Sequence, residues 1–161
     1  MTLVYAGQLI TPEDINSLDP VVDAVNLTTN PVIATAAFAS ETNVPSMQLS
    51  ASVVAGAMYL IFGQLTYSMT NTDTETNLRF RRDTAVTGTL LGSVRLGRPP
   101  FAGFGEQVAW SIPWVAASTG AVSVYCSILR GAGTGNTTLE GGTSAFVGMR
   151  LIDPAGTLRT A

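Results

Sequence analysis

Lysine and histidine are both absent from this chain, and cysteine occurs once, at Cys126. Without an imidazole or an ε-amine, the common general bases for a serine or cysteine nucleophile are missing. A lone cysteine closes no internal disulfide, and Cys126, set among alternating apolar residues, reads as a buried free thiol. Zinc would find neither imidazoles nor paired thiolates. Charge is scarce as well: charged residues make up 12% of the 161 positions and the net charge is −3, against a usual charged share of roughly 25%. The basic residues are all arginine (Arg79, Arg81, Arg82, Arg95, Arg98, Arg130, Arg150 and Arg159) and form no basic tract, so nucleic acid has no electrostatic foothold. The longest apolar run, residues 53–62, falls far short of the ~20 residues of a spanning helix, so no membrane insertion is expected. The opening, Met1-Thr2-Leu3-Val4-Tyr5-Ala6-Gly7-Gln8, has neither the charged nor the apolar region of a secretory signal. Synthesis and assembly in a cytoplasm are expected.

The remaining candidates for chemistry read as ordinary structure. Asp73, Glu75, Asp83, Glu106, Glu140 and Asp153 fall mostly in turns, as solvated acids rather than a catalytic pair. Asn71-Thr72-Asp73-Thr74-Glu75 offers oxygens but lacks the glycine and spacing of a calcium loop. Gly131-Ala132-Gly133-Thr134-Gly135-Asn136 has neither dinucleotide spacing nor the lysine of a nucleotide-phosphate loop, and reads as a hairpin connection. The expectation is a protein that is not an enzyme and holds no metal or cofactor.

What the chain does have is apolar surface, at 46% hydrophobic residues. Met58-Tyr59-Leu60-Ile61-Phe62-Gly63-Gln64-Leu65-Thr66-Tyr67-Ser68-Met69 carries no charge and, read as a strand, is apolar on both faces. A strand at a monomer's surface alternates apolar and polar; one that does not requires cover on its second face, here from another subunit. Residues 145–152 likewise carry bulk on both faces. If the two strands are neighbours, the outer face of their sheet is an oligomer contact.

Residues 1–20 stand apart. Thr11-Pro12-Glu13-Asp14-Ile15-Asn16-Ser17-Leu18 has a capping residue, a proline at the first helical position and acids in the first turn, and Asp19-Pro20 stops it. This reads as an N-terminal anchoring arm with one short helix, whose apolar residues Val4, Tyr5, Leu9, Ile10, Ile15 and Leu18 need a surface. That surface is either the chain's own domain or another protein or subunit. Residues 21–161 form one domain. Strands are expected over 32–38, 47–54, 58–70, 78–82, 88–95, 107–115, 122–129, 137–140 and 145–152, separated by glycine-, proline- and asparagine-rich turns; eight or nine such strands without helical periodicity indicate a β-sandwich or barrel. In Leu78-Arg79-Phe80-Arg81 the arginines take one face. With Arg82 they form either a site for an anionic partner or a host glycan, or an exposed strand face with an ion pair between subunits. Trp110 and Trp114 flank Pro113 in an apolar segment that reads as core or interface.

Gly56-Ala57-Met58-Tyr59-Leu60-Ile61-Phe62-Gly63-Gln64-Leu65-Thr66-Tyr67 resembles the glycine–tyrosine–aromatic–glutamine strand of the tumour necrosis factor and complement globular-head jelly rolls. Ser144-Ala145-Phe146-Val147-Gly148-Met149-Arg150-Leu151 is similar to their final strand. The resemblance spans about residues 45–153 and implies an all-β, jelly-roll β-sandwich that is homotrimeric. It puts Phe62 and Phe146 on a threefold axis, with Leu60 and Gly148 in the same interface and Trp110 joining them. A second resemblance is to small virion proteins of actinobacterial tailed phages. It rests on Ala6-Gly7-Gln8-Leu9-Ile10-Thr11-Pro12-Glu13-Asp14-Ile15-Asn16, Leu78-Arg79-Phe80-Arg81-Arg82-Asp83, Val86-Thr87-Gly88-Thr89-Leu90, Gly131-Ala132-Gly133-Thr134-Gly135 and Leu151-Ile152-Asp153-Pro154. It implies a structural role in a virion, first as a trimeric capsid decoration protein bound to the major capsid protein or another virion protein. The alternatives are a tail-tip receptor-binding or minor tail protein, with a host surface glycan as partner, and a soluble cytokine-like or lectin-like ligand.

Overall fold

A computed structural model describes residues 21–26, 32–34, 40–141 and 145–154. The anchoring arm, with its expected helix and its residues Val4, Tyr5, Leu9, Ile10, Ile15 and Leu18, lies outside the described residues. The described strands, in chain order, are β1 (Val21–Asn26), β2 (Val32–Ala34), β3 (Thr42–Val53), β4 (Met58–Met69), β5 (Glu75–Arg82), β6 (Thr89–Leu96), β7 (Gly105–Val115), β8 (Gly120–Ala132), β9 (Thr137–Glu140) and β10 (Phe146–Asp153). All pairs are antiparallel. One sheet runs β3-β8-β5-β6. The other centres on β4, which has β7 along one flank and β10 followed by β9 along the other, with β1 beyond β10 and β2 beyond β9. From one described strand to the next the chain changes sheet at six of nine steps, and only β1–β2, β5–β6 and β9–β10 stay within one sheet.

The expected strands are present with shifted ends. β1 was missed, because Val21-Val22-Asp23-Ala24-Val25-Asn26 has no clean alternation, and the stretch expected over 32–38 is described as strand only for β2. Glu75, Thr76 and Asn77, expected in a loop, open β5. Their polarity is explained by where they point: Thr76 is buried but shares a hydrogen bond with Thr137 across the sandwich (2.5 Å), so its hydroxyl is satisfied and costs little.

Period-two alternation builds the core. β4 inserts Tyr59, Ile61, Leu65, Tyr67 and Met69; β8 inserts Val122, Val124, Cys126 and Ile128; β5 adds Leu78 and Phe80. In β3, Val44 and Met47 are both buried although they are three positions apart. A register shift between Asn43 and Gln48, with Ser46 at φ 65°, sets five steps of β3 against two of β8, and this odd surplus reverses the parity. Pro45 sits in that irregularity on an edge strand, where its missing N–H breaks no ladder. Burial pushes the Cys126 thiol well above its ordinary range, so it stays a protonated core residue.

The outer face of the β3-β8-β5-β6 sheet is polar and tied together by Glu41. Arg81 donates to both Glu41 oxygens (2.6 and 2.7 Å) and to the Gly88 carbonyl (2.7 Å), Arg79 donates to Oε2 (3.0 Å), and the Ser127 hydroxyl donates to Oε1. This corrects the expectation for the arginine strand: the partner of Arg79 and Arg81 is an acid of the same chain, and Arg82 pairs with its neighbour Asp83 (3.0 Å). Glu41 was invisible as a partner because it lies 38 residues or more away in sequence, at the foot of β3. Burial acts to raise the Glu41 pKa, but the hydrogen bonds from Arg81, Ser127 and Arg79 overcome it and hold the carboxyl at about 2.

Because the folded pKa lies below the unfolded one, the stabilisation is complete above pH ~4.5 and is lost as pH falls through about 2. Glu41→Gln is expected to cost ~2–3 kcal/mol at pH 7 and progressively less below pH ~4. Urea unfolding of both proteins across that range measures the difference.

Candidate assembly face

The β4-centred sheet has two unlike faces. None of the twelve residues of β4 is exposed: odd positions are buried in the sandwich and even positions are half-buried on the outside. The outer set is Met58, Leu60, Phe62, Gln64, Thr66 and Ser68. On the β10 flank, Phe146 lies opposite Gln64, Gly148 opposite Phe62 and Arg150 opposite Leu60. On the β7 flank, Ala109, Ser111 and Pro113 lie opposite Gln64, Phe62 and Leu60. The two strands with no clear solvent face are neighbours.

Phe62 is the centre of this face. It meets Phe146 edge-on, with ring centroids 6.0 Å apart and planes at 74°. The Arg150 guanidinium stands over it, 5.3 Å from its centroid, a cation–π contact. Its ring crosses Gly148, where a Cβ would come within 2.7 Å of Phe62 Cζ. A glycine there lets the ring lie flat on the sheet instead of standing off it. On the β7 side, Ala109, Ser111 and Pro113 are small and exposed. The result is a shallow surface with apolar residues at its middle and one charged side chain, Arg150, beside them.

Four of the five residues expected in the interface, Leu60, Phe62, Phe146 and Gly148, share this face. Trp110 does not, and its placement is corrected. It pairs with Gly63 rather than with Phe62, so it points into the sandwich, 7% exposed and packed on Phe80 at 5.3 Å. The missing Gly63 side chain makes room for the indole: a Cβ there would lie 2.5 Å from Trp110 Cζ2 and 2.2 Å from the Phe146 carbonyl oxygen. The alternation of Val108, Trp110, Ile112 and Trp114 against Gln107, Ala109, Ser111 and Pro113 carried this signal, and the resemblance pointed the other way. Arg150 was not singled out, although Phe146, Gly148 and Arg150 share a face by the same parity.

Elsewhere the chemistry is sparse. Among the described residues no group of histidine, cysteine, aspartate or glutamate could hold a metal ion. Glu75 binds Arg95 and Arg98 (2.8 Å to the latter), which hold its carboxyl below the usual range. The Tyr67 hydroxyl is pushed up to about 12 by burial and by its bond to the Glu106 carboxylate. These are structural pairs. No helix among the described residues is long and apolar enough to cross a membrane.

No family model matches the chain, and no curated protein matches it. Solved structures do. The Eiger TNF from S. frugiperda aligns with 82% of this chain and 93% of its own, at a TM-score of 0.50 and 10% identity. The infectious bursal disease virus Gt strain structure aligns over 85% of this chain but 34% of its own, at 0.48 and 9% identity. A carbohydrate binding module from Cellvibrio mixtus lichenase 5A aligns over 81% and 97%, at 0.38 and 12% identity. At such identities a likeness concerns fold alone, and the two below 0.5 carry no argument about this chain.

The two glycines of this region should respond differently to alanine. Gly63→Ala meets backbone and indole and is expected to cost ~2–3 kcal/mol in urea unfolding, whereas Gly148→Ala meets a ring that can swing away and is expected to cost ~1 kcal/mol or less. Equal costs would contradict the assigned faces. With the facing settled, the chain is an all-β sandwich of two antiparallel sheets, similar in fold to the tumour necrosis factor jelly roll.

Proposed function

We propose that this chain is a structural virion protein of a tailed phage, a homotrimer that decorates the capsid. The observation that carries the reading is the half-buried apolar face around Phe62. Packing three such faces about an axis would bury the remainder of Phe62, Phe146 and Leu60 beside small residues that permit close approach. Each large side chain fully removed from water is worth ~1.5–3 kcal/mol, and a near-absence of charge on the face keeps the desolvation cost low. The trimer would attach through residues 1–20 to the major capsid protein or another virion protein, stiffening the shell by added contact area. The resemblance to small virion proteins of actinobacterial phages supports the setting.

A tail-tip adhesion role is the second reading, and one observation favours it. Phe101 and Phe104 are 57% and 37% exposed and pack edge-on at 4.8 Å, on a turn pinned by Gly103 N–H to the Met69 carbonyl (2.7 Å). A rigid aromatic pair in solvent is suited to contact, including with a host surface glycan.

Light scattering on the sized protein at micromolar concentration should give three times the 16.8 kDa chain mass. Phe62→Arg, which sets a second cation beside Arg150, should give folded monomer. A wild-type monomer removes the interface argument. Imaging of labelled virions then separates the two readings: signal spread over the head supports decoration, and signal at the tail alone supports adhesion.

A further inference from the structure

The two ends of the sandwich differ in a way that assigns them separate roles. Val21 of β1 pairs with Arg150, and the last residue of β10, Asp153, lies opposite Met58, the first residue of β4. Residues 1–20 therefore join the domain at the end built from the turns after β3, β5 and β7. This end carries Val54, Val86 and Ile152 at 56%, 41% and 37% exposure, and Leu90, close by on β6, at 46%. Its turns, residues 54–57, 83–88 and 116–119, hold one charged side chain, Asp83, and that is neutralised by Arg82. The opposite end holds Asp73 in the β4–β5 turn and Arg98 in the β6–β7 loop, with Glu75, Arg95 and Glu106 close by at strand ends.

The apolar end also contains a cleft of about 230 Å³ lined by Val53, Arg82, Asp83, Trp114, Thr119 and Val122. Its walls are braced. Trp114 packs on Tyr59 at 5.9 Å, the Thr119 hydroxyl accepts from Ala55 N–H (2.9 Å), and Asp83, at φ 72°, donates its N–H to the Ser123 carbonyl (2.9 Å). Backbone held in that region by a non-glycine residue is a cost met where the surroundings fix it.

We propose that this end is the seat of the trimer on the particle, an interface for the protein shell, and that the charged end with Phe101 and Phe104 faces outward. The proposal rests on the decoration reading. An apolar rim, a tryptophan and an arginine around a braced cleft, with no unpaired charge, form the anatomy of a protein–protein contact. The partner that fits is a charge-poor protein surface that packs on the apolar rim and offers the cleft, whose lining includes Arg82, Asp83, Ser118 and Thr119, one side chain with a polar tip. The cleft is smaller than the ~300–1,000 Å³ of drug-sized sites, but one side chain or one sugar ring fits it. Residues 1–20, joining at the same end, would reach the same surface.

The test uses heads assembled without this protein and purified full-length trimers. Val54→Glu combined with Val86→Glu changes two exposed side chains outside the trimer face, so the variant should keep its trimer mass while losing at least tenfold in co-sedimentation affinity; Phe101→Glu should bind as wild type. The seat is overturned if the double variant binds normally, if Phe101→Glu is the one that fails, or if methyl glycosides of glucose, mannose or N-acetylglucosamine saturably change tryptophan fluorescence and identify the cleft as a sugar site. If the wild-type trimer itself does not bind heads, the decoration reading fails and the seat falls with it.

Discussion

One strand sets the terms for the rest of the molecule. β4 is paired along both flanks, by β7 on one side and by β10 and β9 on the other, and none of its side chains is fully exposed. Its odd positions supply one wall of the core and its even positions supply the outer face, so a change of one residue in register would exchange them. That exchange would bring Gln64, Thr66 and Ser68 into the sandwich and expel Ile61 and Leu65, so the register is held by the core itself. The same register places Gly63 under Trp110 and Phe62 over Gly148. Core packing and the candidate interface are thus fixed together.

The legible part of this arrangement was the part written with period two. Val122, Val124, Cys126 and Ile128 inward, and Leu78 and Phe80 inward with Arg79 and Arg81 outward, follow from alternation alone. So does the conclusion that residues 58–69 and 145–152 lack a clear solvent face, and their adjacency makes that conclusion spatial. Two kinds of information were not local. The acid that binds Arg79 and Arg81 comes from the foot of a strand paired only indirectly with theirs, and no spacing rule reaches that far. β1 owes its strand to pairing with β10 rather than to its own pattern. Trp110 was legible by parity but assigned by resemblance, and the two disagreed; within an antiparallel strand, parity is the physical constraint and motif position is not.

The charges follow a consistent logic. Arg79, Arg81, Arg82, Arg95 and Arg98 each bind an acid of the same chain, and Arg150 covers Phe62. The bridges to Glu41 and Glu75 lie on the β3-β8-β5-β6 sheet and its margins, where they tie β5 to the foot of β3 and to β6. Such ties resist shear between strands whose outer faces have no apolar cover. On the outer face of the β4-centred sheet, Phe62 and Phe146 pack edge-on and the Arg150 guanidinium lies over Phe62. The sheet held by ions can face water, and the sheet held by rings is the one that would gain from a second copy.

This division bears on how a chain with so little charge avoids indiscriminate association. An apolar face presented flat and unbroken would accept many partners. Here Arg150 stands over Phe62, and any partner must accommodate a charged side chain beside the rings. A second copy of the same face would bring an aromatic pair and an identical arginine, so a productive approach would have to bring the rings together while keeping the two cations apart. Approach about an axis that passes closer to Phe146 and Gln64 than to Leu60 meets both conditions, because Arg150 and Phe146 lie on opposite sides of Phe62 along the strand. The arginine then selects among the geometries that the rings alone would allow.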